Sequence, residues 1–126
     1  MVERVFIAFV AFEHLCFLVL EMFFWDSPLG IRVFGLTPEF AAQSATLAAN
    51  QGLYNGFLAA GLIWSLVRKS DAFALRIFFL ICVVVAGVFG TLTAGSSILF
   101  VQGIPAAIAL VLVVFSRRRV AGSNLE

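Results

Sequence analysis

Four long apolar runs dominate the chain, at about 5–25, 52–67, 72–94 and 98–116, and each is interrupted by few or no charges. About 20 apolar residues in a helix cross the hydrocarbon of a bilayer. The runs are continuous rather than alternating, so they do not fit the strands of a closed barrel, and open sheet edges do not survive in lipid. The expected fold is therefore all-α: a polytopic membrane protein, a four-helix transmembrane bundle with a short extra helix in its first, outer connection. One transmembrane domain takes up the whole 126-residue chain.

Composition removes the rival classes. Hydrophobic residues make up 63% of the chain and charged residues 12%, with a formal net charge of +1. Soluble domains carry about 25% charged residues, so too few charges remain to coat a soluble surface. An ordinary soluble enzyme, a disordered tail and a basic nucleic-acid binder are all excluded. The partners expected are the lipid bilayer, a small-molecule or ion ligand and a second copy of the chain, but no nucleic acid. Cys16 and Cys82 lie mid-run and read as small hydrophobic side chains, with no metal-type CxxC spacing. Glu13-His14 interrupts the first run and no small-x-small cleavage site follows, so the run reads as a retained helix rather than a signal peptide. The ending Leu125-Glu126 reads as a cloning remnant.

Basic residues set the orientation. With four spans, Arg4, Arg68, Lys69, Arg76, Arg117, Arg118 and Arg119 share one side, which is seven of the eight Lys and Arg, leaving Arg32 opposite. The positive-inside rule makes that side cytoplasmic, with both termini there. Arg76 lies inside its run and is expected to snorkel outward. Trp25 and Trp64 fall at the two interfaces.

The first connection is the only long one. Asp26-Ser27-Pro28 ends the first helix, and Pro28-Leu29-Gly30 reads as a turn. Thr37-Pro38-Glu39 is a helix start, with Thr as N-cap and Pro at the first helical position. The helix that follows, about 38–50, either lies on the outer face or runs directly into the second span. Pro105, with Gly103 just ahead, predicts a kink in the fourth.

Depth is the informative coordinate. Glu13 and His14 fall near mid-membrane and Glu21 in the outer third. Asn50, Gln51, Tyr54 and Asn55 fall in the outer half of the second span, Thr91, Thr93 and Ser96 near the outer end of the third, and Gln102 just below the outer surface. At about 100° per residue, Glu13, His14 and Glu21 share about one third of their helix. Gln51, Tyr54, Asn55 and Leu58 form a similar stripe. An ionised group at mid-bilayer costs about 2.5–3.5 kcal/mol on insertion scales, so these groups face partners or water. An outward-open polar pocket results, with Glu13, His14, Glu21, Asn50, Gln51, Tyr54, Asn55 and Gln102 as its candidate lining.

A plainer reading stands beside it. In it Glu13 is protonated and hydrogen-bonded to His14, Asn55 or Gln102 as interhelical glue, and the polar groups of the second span serve as caps and packing. Gly52-x-x-x-Gly56, continued by Ala60, and Ala86-x-x-x-Gly90-x-x-x-Ala94 are small-residue rows that permit close helix contact. No phosphate loop, H-E-x-x-H, E-x-x-H or Gly-x-Ser-x-Gly motif is present. Glu21 stands about 10–12 Å above Glu13 and His14, so one metal ion cannot easily take all three. Catalytic residues, metal and cofactor stay unassigned.

Four strings carry a family likeness: Glu13-His14-x-x-Phe17-x-x-x-Glu21-x-Phe23-x-Trp25; Phe34-Gly35-Leu36; the run from Leu47 through Asn50-Gln51-Gly52-Leu53-Tyr54-Asn55-Gly56 to Leu62; and Phe100-Val101-Gln102-Gly103-x-Pro105-Ala106. Together they resemble a family of small four-span bacterial integral membrane proteins catalogued as a domain of unknown function. The resemblance implies a four-helix membrane protein and carries no reaction, substrate or cofactor with it.

Three functions compete. The first is binding or transport of a small solute, cation or proton through Glu13, His14 and Glu21. The second is an intramembrane enzyme in which Glu13 or His14 moves a proton on a lipid-like substrate oriented by Tyr54, Asn55 and Gln102. The third is a structural or assembly partner docking through the small-residue rows. Exporters of the small multidrug resistance type also place an acid early in the first of four spans. Their pattern is absent here, and the one-sided charge contradicts a dual topology.

Overall fold

The first apolar run folds as α1 (Val2–Phe23), 22 residues long, in a computed structural model that describes residues 1–123, with side chains through Arg118. The Arg119 side chain and Leu125-Glu126 lie outside the described residues. After α1 the chain forms a short helix, α2 (Pro28–Phe34), where a simple turn is expected. Ser27 is its N-cap, accepting the Gly30 N–H at 3.2 Å, and Pro28 occupies the first turn, where its missing N–H costs nothing. Gly35, at φ 64°, closes it in the left-handed conformation.

α3 (Pro38–Val67) is a single 30-residue helix. Its start is the expected one, since Thr37 Oγ1 accepts the Phe40 N–H at 3.3 Å. A separate outer helix over 38–50 does not form; that stretch runs straight into the next, and the extra helix of the first connection is α2. α4 (Ala72–Thr93) follows, then a five-residue π-helical segment (Leu99–Gly103) that leads into α5 (Ile104–Ser123). All five α-helices and the π-segment are helical, with no strand among the described residues. The irregularity expected around Gly103 and Pro105 takes this π form.

Three described stretches are long and apolar enough to cross a membrane: Val2–Phe23, Ala72–Thr93 and Leu99–Arg118. The expected span at 52–67 is not among them. Its apolar run is short, and the part of α3 ahead of it carries Glu39, Gln43, Ser44, Thr46, Asn50 and Gln51.

The chain divides into two compact units. One is Phe12–Ala59. In it α1 and α3 meet where Gly52 and Gly56 remove side-chain bulk. A Cβ on Gly52 would stand 2.8 Å from Met22 Cγ and 3.1 Å from the Leu18 carbonyl oxygen, and one on Gly56 would strike Leu18 Cδ1. α2 folds back so tightly that a Cβ on Gly30 would strike the Phe24 carbonyl. Trp25 ties the layers together: its ring packs on Phe34 at 4.7 Å and its Nε1–H donates to Ser44 Oγ at 3.0 Å.

The other unit comprises Met1–Ala11 and the described chain from Ala60 onward. Its core includes Ile7, Val10, Leu62, Leu80, Val83, Ala106, Ala109 and Val113. Helix ends converge at its basic side. Arg4 Nη2 donates to the Leu66 carbonyl at 2.8 Å and Arg76 Nη2 to the Ser65 carbonyl at 3.4 Å, so two arginines serve carbonyls that the last turn of α3 leaves unbonded. Arg76 thus turns to α3 rather than simply outward. Ser116 Oγ donates to Glu3 Oε2 at 3.3 Å, and the Arg117 guanidinium lies 3.9 Å above the Phe73 ring.

On α4 the packed glycine is Gly87, where a Cβ would stand 2.8 Å from Gly103 Cα, and Gly90 rests on Ile98. Ala86 and Ala94, expected in that row, are exposed; the buried row is Leu80-Val83-Gly87, which includes the bulk needed to fill space beside a small contact. Overpacking costs about 1–3 kcal/mol, so Gly87→Leu is expected to lower the unfolding midpoint in detergent by several degrees. Ala86→Leu, one residue away, is expected to leave it unchanged.

Candidate functional site

In an apolar helix an acid or a base stands out, and in the Phe12–Ala59 unit α1 presents three: Glu13, His14 and Glu21. His14 is completely buried, its ring edge-on to Phe17 at 5.7 Å. Glu13 is half-buried; its Oε2 is shut off from solvent, and no described residue hydrogen-bonds that atom. Glu21, also half-buried, has a partner. Its Oε2 accepts from Asn55 Nδ2 at 2.7 Å, and Asn55 is only 6% exposed.

The contact follows from α3's packing face. Ala48, Gly52, Asn55 and Ala59 are buried, at helical spacing. Gly52 brings the backbones close enough for a short Asn side chain to reach the Glu21 carboxylate, since a Cβ there would stand only 3.1 Å from Glu21 Cβ. The small residues, not the polar ones, choose the face. Gln51 and Tyr54 lie about 40° and 100° from Asn55, on the same side of it, and both are exposed, as is Asn50. Tyr54 meets Phe57 edge to face at 5.9 Å instead. The structure therefore joins Glu21 to Asn55 and leaves Asn50, Gln51 and Tyr54 on the open side of α3.

Other polar groups are satisfied within the unit from Ala60 onward. Gln102 directs Nε2 to the Val83 carbonyl at 3.5 Å. Thr91 and Thr93 donate back to the Gly87 and Phe89 carbonyls at 2.7 and 2.9 Å, a use of hydroxyls common in helices. Sequence reasoning missed Ser44, which takes the Trp25 indole proton and donates to the Phe40 carbonyl at 2.6 Å. The signal was available, since a packed Trp N–H needs an acceptor. Among the described residues no group of three or more His, Cys, Asp or Glu could hold a metal ion, and Cys16 and Cys82 are free thiols.

Chemically, the Glu21–Asn55 pair tolerates two states. The amide N–H donates to an ionised carboxylate, and the amide oxygen can accept from a protonated one. Glu13 offers a second carboxylate two turns below on the same helix, beside a buried imidazole.

These features define a small all-helical protein whose long apolar helices suit a membrane. The chain belongs to the family described as "Protein of unknown function (DUF1304)", which matches residues 8–114 and so takes in all four strings that carry the likeness. It is similar to "Uncharacterized protein YpaA" of Lactococcus lactis subsp. lactis (strain IL1403), at 34% identity over 104 residues, 81% of this chain and 87% of that protein. No solved structure matches the chain.

A double-mutant cycle tests the pair. Interhelical polar contacts in membranes couple by about 0.6–1.7 kcal/mol, and Asn55→Leu with Glu21→Leu is expected to fall in that range when unfolding is followed in mixed micelles. Additive effects would show that the two side chains act independently.

Proposed function

We propose that this is a four-span protein of the bacterial inner membrane that binds or carries a small solute, cation or proton through Glu13, His14 and Glu21, with Asn55 as the helper from α3. The observation that carries the reading is the placement of two carboxylates and an imidazole in one apolar stretch of α1, one carboxylate bonded by a buried amide and the other with an oxygen buried and unbonded. Ionisable groups inside membranes are expensive and mark ion and proton routes.

α3 supplies the fourth span. A 30-residue helix is about 45 Å long at 1.5 Å per residue, which exceeds the roughly 30 Å of hydrocarbon; its polar first turns then stand in the outer interface. The orientation is supported by the meeting of Arg4, Arg76 and Arg117 with the ends of α1, α3, α4 and α5 at one side of their unit. That side is the cytoplasmic one by the charge rule.

Two measurements test this. In proteoliposomes driven by a pH or cation gradient, flux is expected, and Glu13→Gln is expected to reduce it to the level of empty liposomes; equal flux from Glu13→Gln, Glu21→Gln and the unaltered protein would overturn the proton or cation reading. For topology, Cys16→Ala and Cys82→Ala provide a cysteine-free background. In it Ser70→Cys is expected to react with an impermeant maleimide only after the cytoplasmic face is opened, and Glu39→Cys in intact cells.

A further inference from the structure

The unit that contains the basic side also contains a cleft that the carboxylate site does not use. It measures about 310 Å3 and is lined by Glu3, Phe73, Arg76, Val113, Ser116 and Arg117. Its charges do not cancel. Two arginines face one carboxylate, and Glu3 Oε2 is already engaged by the Ser116 hydroxyl and the Met1 amine, at 3.3 and 3.0 Å. The Arg117 guanidinium is held over Phe73 at 3.9 Å, which fixes a planar cation at the rim and reduces the ordering cost of using it.

Arg76 is under-used. A guanidinium has five N–H donors; here Nη2 makes a long 3.4 Å contact with the Ser65 carbonyl, and Nε is buried with no hydrogen-bond acceptor among the described residues. A buried donor left unbonded costs about 1–3 kcal/mol, so an arginine in this condition on the wall of a cleft lacks an acceptor. Planar paired donors match phosphate oxygens.

We propose that this cleft binds a phosphate group, with Arg76 and Arg117 as its two cationic partners and the Ser116 hydroxyl beside them. Binding turns the Arg76 guanidinium from the Ser65 carbonyl toward the cleft. A phospholipid headgroup is the favoured source. An adjoining cleft of about 530 Å3 shares Glu3 and Ser116 and is walled by Val2, Leu112 and Phe115, which gives an acyl chain an apolar path from the same point. Anionic lipids concentrate on the basic side of membrane proteins. The inference takes from the proposed function only that this side lies at the membrane surface; it does not involve Glu13 or Glu21.

The test uses the full chain in nanodiscs of phosphatidylcholine and phosphatidylglycerol at four to one, with lipid retained on extraction counted by mass spectrometry. Preferential retention of phosphatidylglycerol is expected. Arg76→Gln and Arg117→Gln should each reduce that preference about tenfold, the loss of a charge-assisted bond of about 1.4 kcal/mol. Arg118→Gln removes the same charge outside the cleft and should leave it intact. Arg76→Lys keeps the charge and loses the planar fork; it takes the place of Arg76→Gln if that variant does not fold, and is expected to reduce the preference as well. A parallel titration of delipidated protein in neutral detergent with inorganic phosphate separates the sources. Retention without phosphate binding assigns a lipid headgroup, and phosphate binding lost in both cleft variants assigns free phosphate. Equal lipid retention by Arg76→Gln, Arg76→Lys, Arg117→Gln and Arg118→Gln, with no phosphate binding, would overturn the proposal. Because flux is not read, its failure is distinguishable from failure of the carboxylate site.

Discussion

The last turn of a helix has carbonyls that the helix itself cannot bond, and they need donors from elsewhere. In this protein the need is met at the end of α3 by two arginines from elsewhere in the sequence, Arg4 and Arg76. The charge on each guanidinium also opposes the negative end of the helix dipole. One interaction thus settles a backbone deficit and holds charges that the apolar runs would otherwise have to expel. With Ser116 on Glu3 and Arg117 on Phe73, it gathers the starts of α1 and α4 and the ends of α3 and α5.

Close backbone approach is the second organising device, and it decides which side chains can interact. Gly52 and Gly56 let α1 and α3 meet, and Gly87 lets α4 meet Gly103. Asn55 reaches Glu21 because Gly52 lies one turn earlier on the same face. Polar groups without such a neighbour fall on the open side, as Gln51 and Tyr54 do.

Much of the helical plan was legible in the amino-acid sequence because apolar length, caps and charge asymmetry are local properties. Thr37 caps α3 as its Thr-Pro-Glu signature indicates, and the apolar runs of α1 and α4 begin and end within a few residues of the helices. What was not legible depended on azimuth. Of the row Ala86-Gly90-Ala94 only Gly90 packs, on Ile98, while the closest backbone approach falls at Gly87, which only its partner Gly103 distinguishes from its small neighbour Ala86. Depth grouped Asn50, Gln51, Tyr54 and Asn55, and a shared stripe joined the last three, yet only Asn55 falls on the face that meets Glu21. The turn assigned to Pro28 became a helix because proline after a capping serine begins either structure, and burial of Gly30 beneath Phe24 favoured the helical one. The Gly52-x-x-x-Gly56 row was readable in advance because its spacing matches one helical face.

The π-helical segment before Pro105 has a consequence for chain length. Ile98 rests on Gly90 and Gly103 on Gly87, so two residues five apart both face α4. In a regular α-helix they would diverge by about 140°; bonding from i to i+5, as in the Ile104 N–H to Leu99 carbonyl contact, brings them back into line. The segment acts as a one-residue insertion that resets the rotation of everything after it, including the buried Ala106-Ala109-Val113 face. Loops elsewhere in the chain can gain or lose a residue at little cost. Here a helix can do the same: a single deletion would leave Ile98 and Gly103 four residues apart, about 40° from each other in a regular α-helix, so this short stretch can lose a residue without turning α5 away from α4.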